Sequence, residues 1–298
     1  MKNLLDGLKN YRFYYEKNFY YVDKTKYIKM LENNPENYLM ILRTKKMGKT
    51  LFLDVLNEYY TLLERTALLY HFKDMDILKG IKSYSMLKFD FSKIEAENSE
   101  ELIKKFNGVC KDVIYEFEKD YCENKSYDYD KSEIENMTNA FNGFMEDYKK
   151  YKIDGKIYVI IDSLPEPLSK YKELGYNSAL NNIKEWYKTL NSFRDKCIEK
   201  IFLTGPMPND SRKLEEEIYG LTDYTMNEEF YNIMGFNKDE LIKLMDEQEL
   251  TKEEQKEIFT LFDDNFVEDK FSVKEKVYNP SQCIRYLADY VRQKWPND

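Results

Sequence analysis

The stretch LMILRTKKMGKTLFL, Leu39–Leu53, decides how the chain is read. An apolar run stops at a cluster of cations, Gly-Lys-Thr follows at 48–50, and apolar residues resume. A phosphate-binding loop has the pattern G-x-x-x-x-G-K-[ST] between a strand and a helix. Gly48, Lys49 and Thr50 fill its last three positions, and Arg43 stands at the first glycine position. A glycine at 48 lets the backbone curl so that amide N–H groups converge on an anion. The N-terminus of the following helix adds partial positive charge. Lys49 is expected on the β- and γ-phosphates of a nucleotide and the Thr50 hydroxyl on Mg²⁺. Arg43, Lys45 and Lys46 are expected to raise the local positive potential. The alternative is an ordinary cationic turn joining a strand to a helix.

Two further apolar runs end in polar residues of the right kind. KIYVIID ends at Asp162, a carboxylate placed to reach magnesium, and KIFLT ends at Thr204, a hydroxyl placed to sense a γ-phosphate. Hydrolytic sites of this type use a glutamate next to the aspartate to polarise the attacking water. Here Ser163 occupies that place, and Glu166 lies beyond Pro165.

Tyr38–Arg43, Met86–Phe91, Ile157–Asp162 and Lys200–Thr204 read as strands, most of them covered on both faces. Helices are expected over Lys49–Leu63, Ser99–Cys122 with the cap pair Asn98 and Glu101, from Ser132 with Glu135, and over Tyr176–Phe193. Strands alternating with helices imply an α/β fold with a mainly parallel sheet, whose ligands bind at the C-terminal strand ends. Beyond residue 207 the strand signal fades. Asn237 with Glu240, Thr251 with Glu254, and Asn279 before Pro280 mark three helix starts. The expected division is an α/β core over 1–207 and a helical subdomain over 208–298.

Composition narrows the chemistry. The 298 residues carry a formal net charge of -9, which argues against nucleic acid or an anionic membrane as a direct partner. The single histidine, His71, and four scattered cysteines disfavour a Cys/His zinc site and histidine-based triads; His71 reads as a packing residue. The cysteines are expected to be reduced thiols in the cytoplasm. With no N-terminal apolar h-region and no apolar run of membrane-spanning length, neither secretion nor a membrane span is expected. The many tyrosines read as core-edge residues rather than base-stacking platforms. Residues 122–133 read as a polar loop.

Several short motifs, in order, resemble the bacterial AAA-ATPase-like family of predicted ATPases. They are FYYVDKTKYIKMLE at 19–32, LRTKKMGKTLFLDVLNEYY at 42–60, LKFDFS at 87–92, VIIDSLPEPL at 159–168, IFLTGPMP at 201–208, MGFNKDEL at 234–241 and VYNPSQCIRYL at 277–287. In that family an arginine also replaces the first P-loop glycine. The resemblance implies a P-loop NTPase-like core with a C-terminal helical lid, binding ATP and Mg²⁺. Its expected nucleotide-binding residues are Arg43, Lys46, Met47, Gly48, Lys49, Thr50 and Leu51. It places magnesium on Thr50 and Asp162, assigns catalysis to Lys49, Asp162 and Thr204, and sets Asp23 and Lys24 near the nucleotide. It also suggests a nuclease module or another protein as partner, and no nuclease activity is inferred for this chain. Ser163 and Pro206-Met207 depart from the family pattern on the hydrolytic side. The expected function is ATP–Mg²⁺ binding with hydrolysis slow or lost; the alternative is a non-catalytic regulatory or interaction module on the same fold.

Overall fold

The computed structural model describes residues 4, 6, 7, 10–61, 82–122, 137–150, 155–207, 218–265 and 276–295. His71, the cap pair Ser132–Glu135 and the greater part of the 122–133 segment lie outside the described residues. The chain forms two compact units, one of residues 1–33, 43–81 and 225–298, the other of residues 34–42 and 82–224.

The second unit holds the sheet. Its strands are β1 (Tyr38–Leu42), β2 (Tyr84–Asp90), β3 (Lys156–Asp162), β4 (Ile198–Gly205) and the two-residue β5 (Thr222–Asp223). All pairings are parallel and the spatial order is β2-β3-β4-β1-β5. This is the P-loop NTPase-like α/β arrangement that the sequence predicts, extended by one short edge strand. The apolar runs are continuous because alternate residues on both faces are buried.

One sheet face presents Met40, Leu42, Leu87, Phe89, Val159, Ile161, Ile201 and Leu203 to a single core. That core is closed by α4 (Ser99–Tyr121), α5 (Met137–Lys150), α6 (Pro165–Glu173) and α7 (Asn177–Ser192). Trp186 sits edge-on to Phe89 and Phe106, with ring centroids 5.0 and 5.2 Å away, and Phe91 stacks on Phe106 at 5.0 Å. Offset and edge-to-face contacts of this kind add to the burial of the rings. Asn98 caps α4 as expected, accepting from the Glu101 amide. The Glu101 carboxylate instead accepts from the Glu97 amide, so the reciprocal half of the box falls one residue earlier.

The first unit contains α1 (Tyr11–Glu16), α2 (Lys26–Asn33), α3 (Lys49–Thr61), a 3-10 turn (Glu228–Ile233), α8 (Lys238–Glu247), α9 (Lys252–Asn265) and α10 (Pro280–Lys294). All three cap signals there are realised. Asn237 and Glu240 exchange side-chain-to-backbone bonds, Thr251 and Glu254 do the same, and Asn279 accepts from the Gln282 amide ahead of Pro280. A small core of Leu241, Leu244, Met245, Ile258, Phe262 and Leu287 joins these helices.

Candidate functional site

The chain leaves β1 at Leu42 and passes through residues 43–48 into α3. Within the first unit this loop is held by its carbonyls. The Lys49 ammonium, largely buried, donates to the carbonyls of Arg43 at 3.1 Å and Thr44 at 2.5 Å. The Asn279 amide group donates to the Lys45 carbonyl at 3.1 Å. The Gly235 N–H donates to the Met47 carbonyl at 2.9 Å, and the Gly48 carbonyl accepts the helical bond from Phe52 at 3.0 Å.

Two residues of the loop are left-handed, Lys46 at φ 68° and Gly48 at φ 83°. Left-handed residues among right-handed neighbours turn successive N–H groups toward a common point, the concavity that holds phosphates. A lysine in this conformation is strained. The carbonyls bonded to protein donors keep the strained form in place.

Arg43 is buried, with a relative exposure of 1%. Its guanidinium donates to the carbonyls of Thr225 at 2.8 Å and of Phe230 and Tyr231 at 3.2 Å each. The residue at the first-glycine position therefore fastens the loop to the 225–231 segment. Lys45 and Lys46 are exposed beside it. Lys24 does not stand alone either. Its ammonium lies 2.7 Å from both Glu240 carboxylate oxygens, in an almost buried pair. Burial pulls the Lys24 ammonium below the usual lysine range, opposed by the Glu240 charge. The Asp23 carboxylate accepts from the Thr25 amide.

In the second unit, Asp162 and Thr204 are register partners at the C-terminal ends of neighbouring strands, β3 and β4. Asp162 is buried at 2% exposure, and the Ser163 hydroxyl donates to its Oδ1 at 2.9 Å. Ser163 has φ 64°, and its amide donates to the Thr204 carbonyl at 2.7 Å. Gly205 packs closely against this turn: a Cβ there would meet the Pro165 ring at 3.1 Å and Ser163 Cα at 3.2 Å. The Thr204 hydroxyl donates to the Ile41 carbonyl at 2.6 Å, so a direct phosphate contact requires exchange of that bond. Asp90, which the sequence reading left unassigned, is the register partner of Asp162 on the other side, at the end of β2.

The four cysteines are free and buried. Burial raises the Cys110 and Cys283 thiols and pushes Cys197 up to about 11, which removes thiolate chemistry at neutral pH. Among the described residues no helix is long and apolar enough to cross a membrane.

The family model for predicted AAA-ATPases matches residues 6–214. The chain belongs to the predicted AAA-ATPase family. No curated protein matches it. Membership of this family carries nucleotide binding as a general property. In the predicted AAA-ATPase frame, the matched span covers the loop and α3, Asp90, Asp162 and Thr204, and the Lys24 motif.

Proposed function

We propose that this chain binds ATP with Mg²⁺ through residues 43–51. The observation that carries the reading is the loop whose carbonyls at 43, 44, 45 and 47 are bonded to protein donors while Lys46 and Gly48 are left-handed. Such a loop costs strain, and a bound polyphosphate returns it through converging N–H groups and the helix terminus. The Lys49 ammonium, already held at the loop, exchanges carbonyl partners for phosphate oxygens.

The donor chemistry suits magnesium. Thr50 offers a hydroxyl in the first unit and Asp162 a carboxylate in the second, each a hard oxygen donor. Among the described residues no group of three or more His, Cys, Asp or Glu gathers into a protein cage. Magnesium is ordinarily bound by one or two carboxylates, water and substrate phosphates rather than by such a cage. When bound, it would neutralise charge on the β- and γ-phosphates.

Hydrolysis is slow in this reading, because Ser163 brings a hydroxyl, already given to Asp162, where a water-orienting carboxylate usually follows. The same observation favours a second reading, a non-catalytic regulatory or protein-interaction module that has kept the fold and lost the nucleotide. Thermal unfolding with and without ATP–Mg²⁺ separates the two. Ligand at about 100 times its Kd adds roughly 2.7 kcal/mol of stability. Lys49→Ala is expected to abolish most of that gain. No stabilisation of the unmodified chain by millimolar ATP would overturn nucleotide binding.

A further inference from the structure

We propose that Asn279 is a positioning residue of the phosphate-type loop and couples that loop to the first turn of α10; this rests on the ATP-binding reading above. Its side chain has two ends, and both are used within the first unit. Oδ1 accepts from the Gln282 amide at 3.3 Å and caps α10. Nδ2 donates to the Lys45 carbonyl at 3.1 Å, across 234 positions of sequence. The Asn279 carbonyl also accepts from the Cys283 amide at 3.0 Å, the first helical bond of α10. One residue therefore starts the helix and holds the loop.

Capping alone does not call for asparagine. Aspartate and serine cap as well, and threonine nearly so. Among these residues only asparagine carries its acceptor and its donor on separate atoms, so one end can cap while the other reaches a second segment of chain. The support behind the cap is firm, because Cys283 and Leu287 of α10 are wholly buried.

The bond falls where it bears on the shape of the loop. A trans peptide is planar, so a donor on the Lys45 carbonyl also sets the direction of the Lys46 N–H. Lys46 is the left-handed lysine, at φ 68°, and strain of that kind persists only where neighbours over-determine it. Two residues on, the Gly235 amide holds the peptide between Met47 and Gly48 in the same way. The two donors are themselves tied together. Gly235 precedes Phe236, Asn279 follows Tyr278, and Phe236 and Tyr278 form an antiparallel bridge. The loop is thus fastened to one bridge by a main-chain donor and a side-chain donor, and substitution can remove the second alone. Coupling between sites is reciprocal. The order that α10 lends to the loop is returned to α10 by a ligand that orders the loop.

Asn279→Ser and Asn279→Ala, made in the full chain, test this. Serine keeps a cap and loses the amide donor; alanine loses both. Urea midpoints are expected to separate the two, with alanine the less stable. Affinity for ATP–Mg²⁺, read by titration calorimetry, is expected to fall alike in both, roughly 2- to 12-fold, the worth of one net hydrogen bond. A residue that served only as a cap would lower affinity in the alanine variant and spare the serine one. Hydrogen exchange supplies the second measurement. Saturating ATP–Mg²⁺ is expected to slow exchange at the Gln282 and Cys283 amides of the unmodified chain, and to slow it less in Asn279→Ser at equal saturation. Unmodified ATP affinity in Asn279→Ser overturns the proposal and leaves the binding reading standing. So does exchange at those amides that ATP leaves unchanged in the unmodified chain. An unmodified chain that binds no ATP overturns the binding reading first and this one with it.

Discussion

The amide of Gly235 donates to the carbonyl of Met47 at 2.9 Å, joining the segment before α8 to the middle of the phosphate-type loop. Gly235 has φ 91°, and a Cβ there would run into Val277 and the Met47 side chain. Residues 188 positions apart are thus in main-chain contact because one of them has no side chain. The adjoining Phe236 and Tyr278 exchange backbone bonds at 3.0 and 2.8 Å, so the 277–279 segment, which includes Asn279, is fixed at the same place.

Gly235→Ala is therefore expected to displace the loop. Overpacking of a filled interior costs about 1–3 kcal/mol, and the left-handed backbone adds about 1–2 kcal/mol. Denaturant unfolding measures the sum, and ATP titration is expected to show weakened binding. Gly220→Ala provides the control. It too has a positive φ, 77°, and its Cβ would meet the Arg194 guanidinium, but it touches no loop residue. It should lose stability and keep ATP affinity. Equal affinity loss in both variants would show that the Gly235 contact has no special bearing on the loop.

Arg43 makes a second prediction. Lysine has the charge but not the fork, so Arg43→Lys reaches fewer of the carbonyls of Thr225, Phe230 and Tyr231. Arg43→Met fills the volume and removes the guanidinium bond from all three. A hydrogen bond to a charged group contributes about 1.5–3 kcal/mol. The expected order of stability is arginine, then lysine, then methionine, read from urea midpoints. If lysine matched arginine, charge rather than bidentate geometry would be what the position requires.

What the sequence revealed depended on how local the physics was. The four main strands were legible because strands buried on both faces read as unbroken apolar runs, and their ends were found within two residues. The caps at Asn237, Thr251 and Asn279 were legible because each is made by residues three apart. Helix α6 was not, since Pro165 and Pro167 look like breakers; both fall in the first turn, where no N–H is needed. The role of Arg43 was hidden for a different reason. The partners of Arg43 lie more than 180 residues away, beyond the reach of any local pattern. Strand β5 is two residues long and has no periodicity to detect.

Acid sensitivity should carry a signature of Glu254. Its carboxylate accepts from the Lys294 ammonium at 2.6 Å and from the Thr251 amide at 2.8 Å, linking the start of α9 to the end of α10. These bonds, Lys294 first, hold its carboxyl down to about 2 from an ordinary 4.5. The folded state thus binds this proton less readily than the unfolded state. The stabilisation is complete above 4.5 and is lost as pH falls toward 2. Glu254→Gln should flatten the stability–pH curve inside that window and leave its shape unchanged at neutral pH. The effect is small because the pair is near the surface, and it shrinks in high salt. An undiminished slope in the variant would assign the acid response to other carboxylates.

Thr204→Val isolates the last bond of the strand-edge row. Valine keeps the shape and removes the hydroxyl that donates to the Ile41 carbonyl at 2.6 Å. The side chain is wholly buried, so water cannot replace the donor, and the loss is about 1–3 kcal/mol. Ile41 is the penultimate residue of β1, next to the point where the chain enters the loop at Arg43. Affinity for ATP and for ADP is expected to fall together, because a bond that positions the strand serves both nucleotides. A selective loss for ATP would mean that the hydroxyl leaves Ile41 and reaches the terminal phosphate. Titration of the variant with both nucleotides, beside its urea midpoint, decides between a strand fastening and a phosphate sensor.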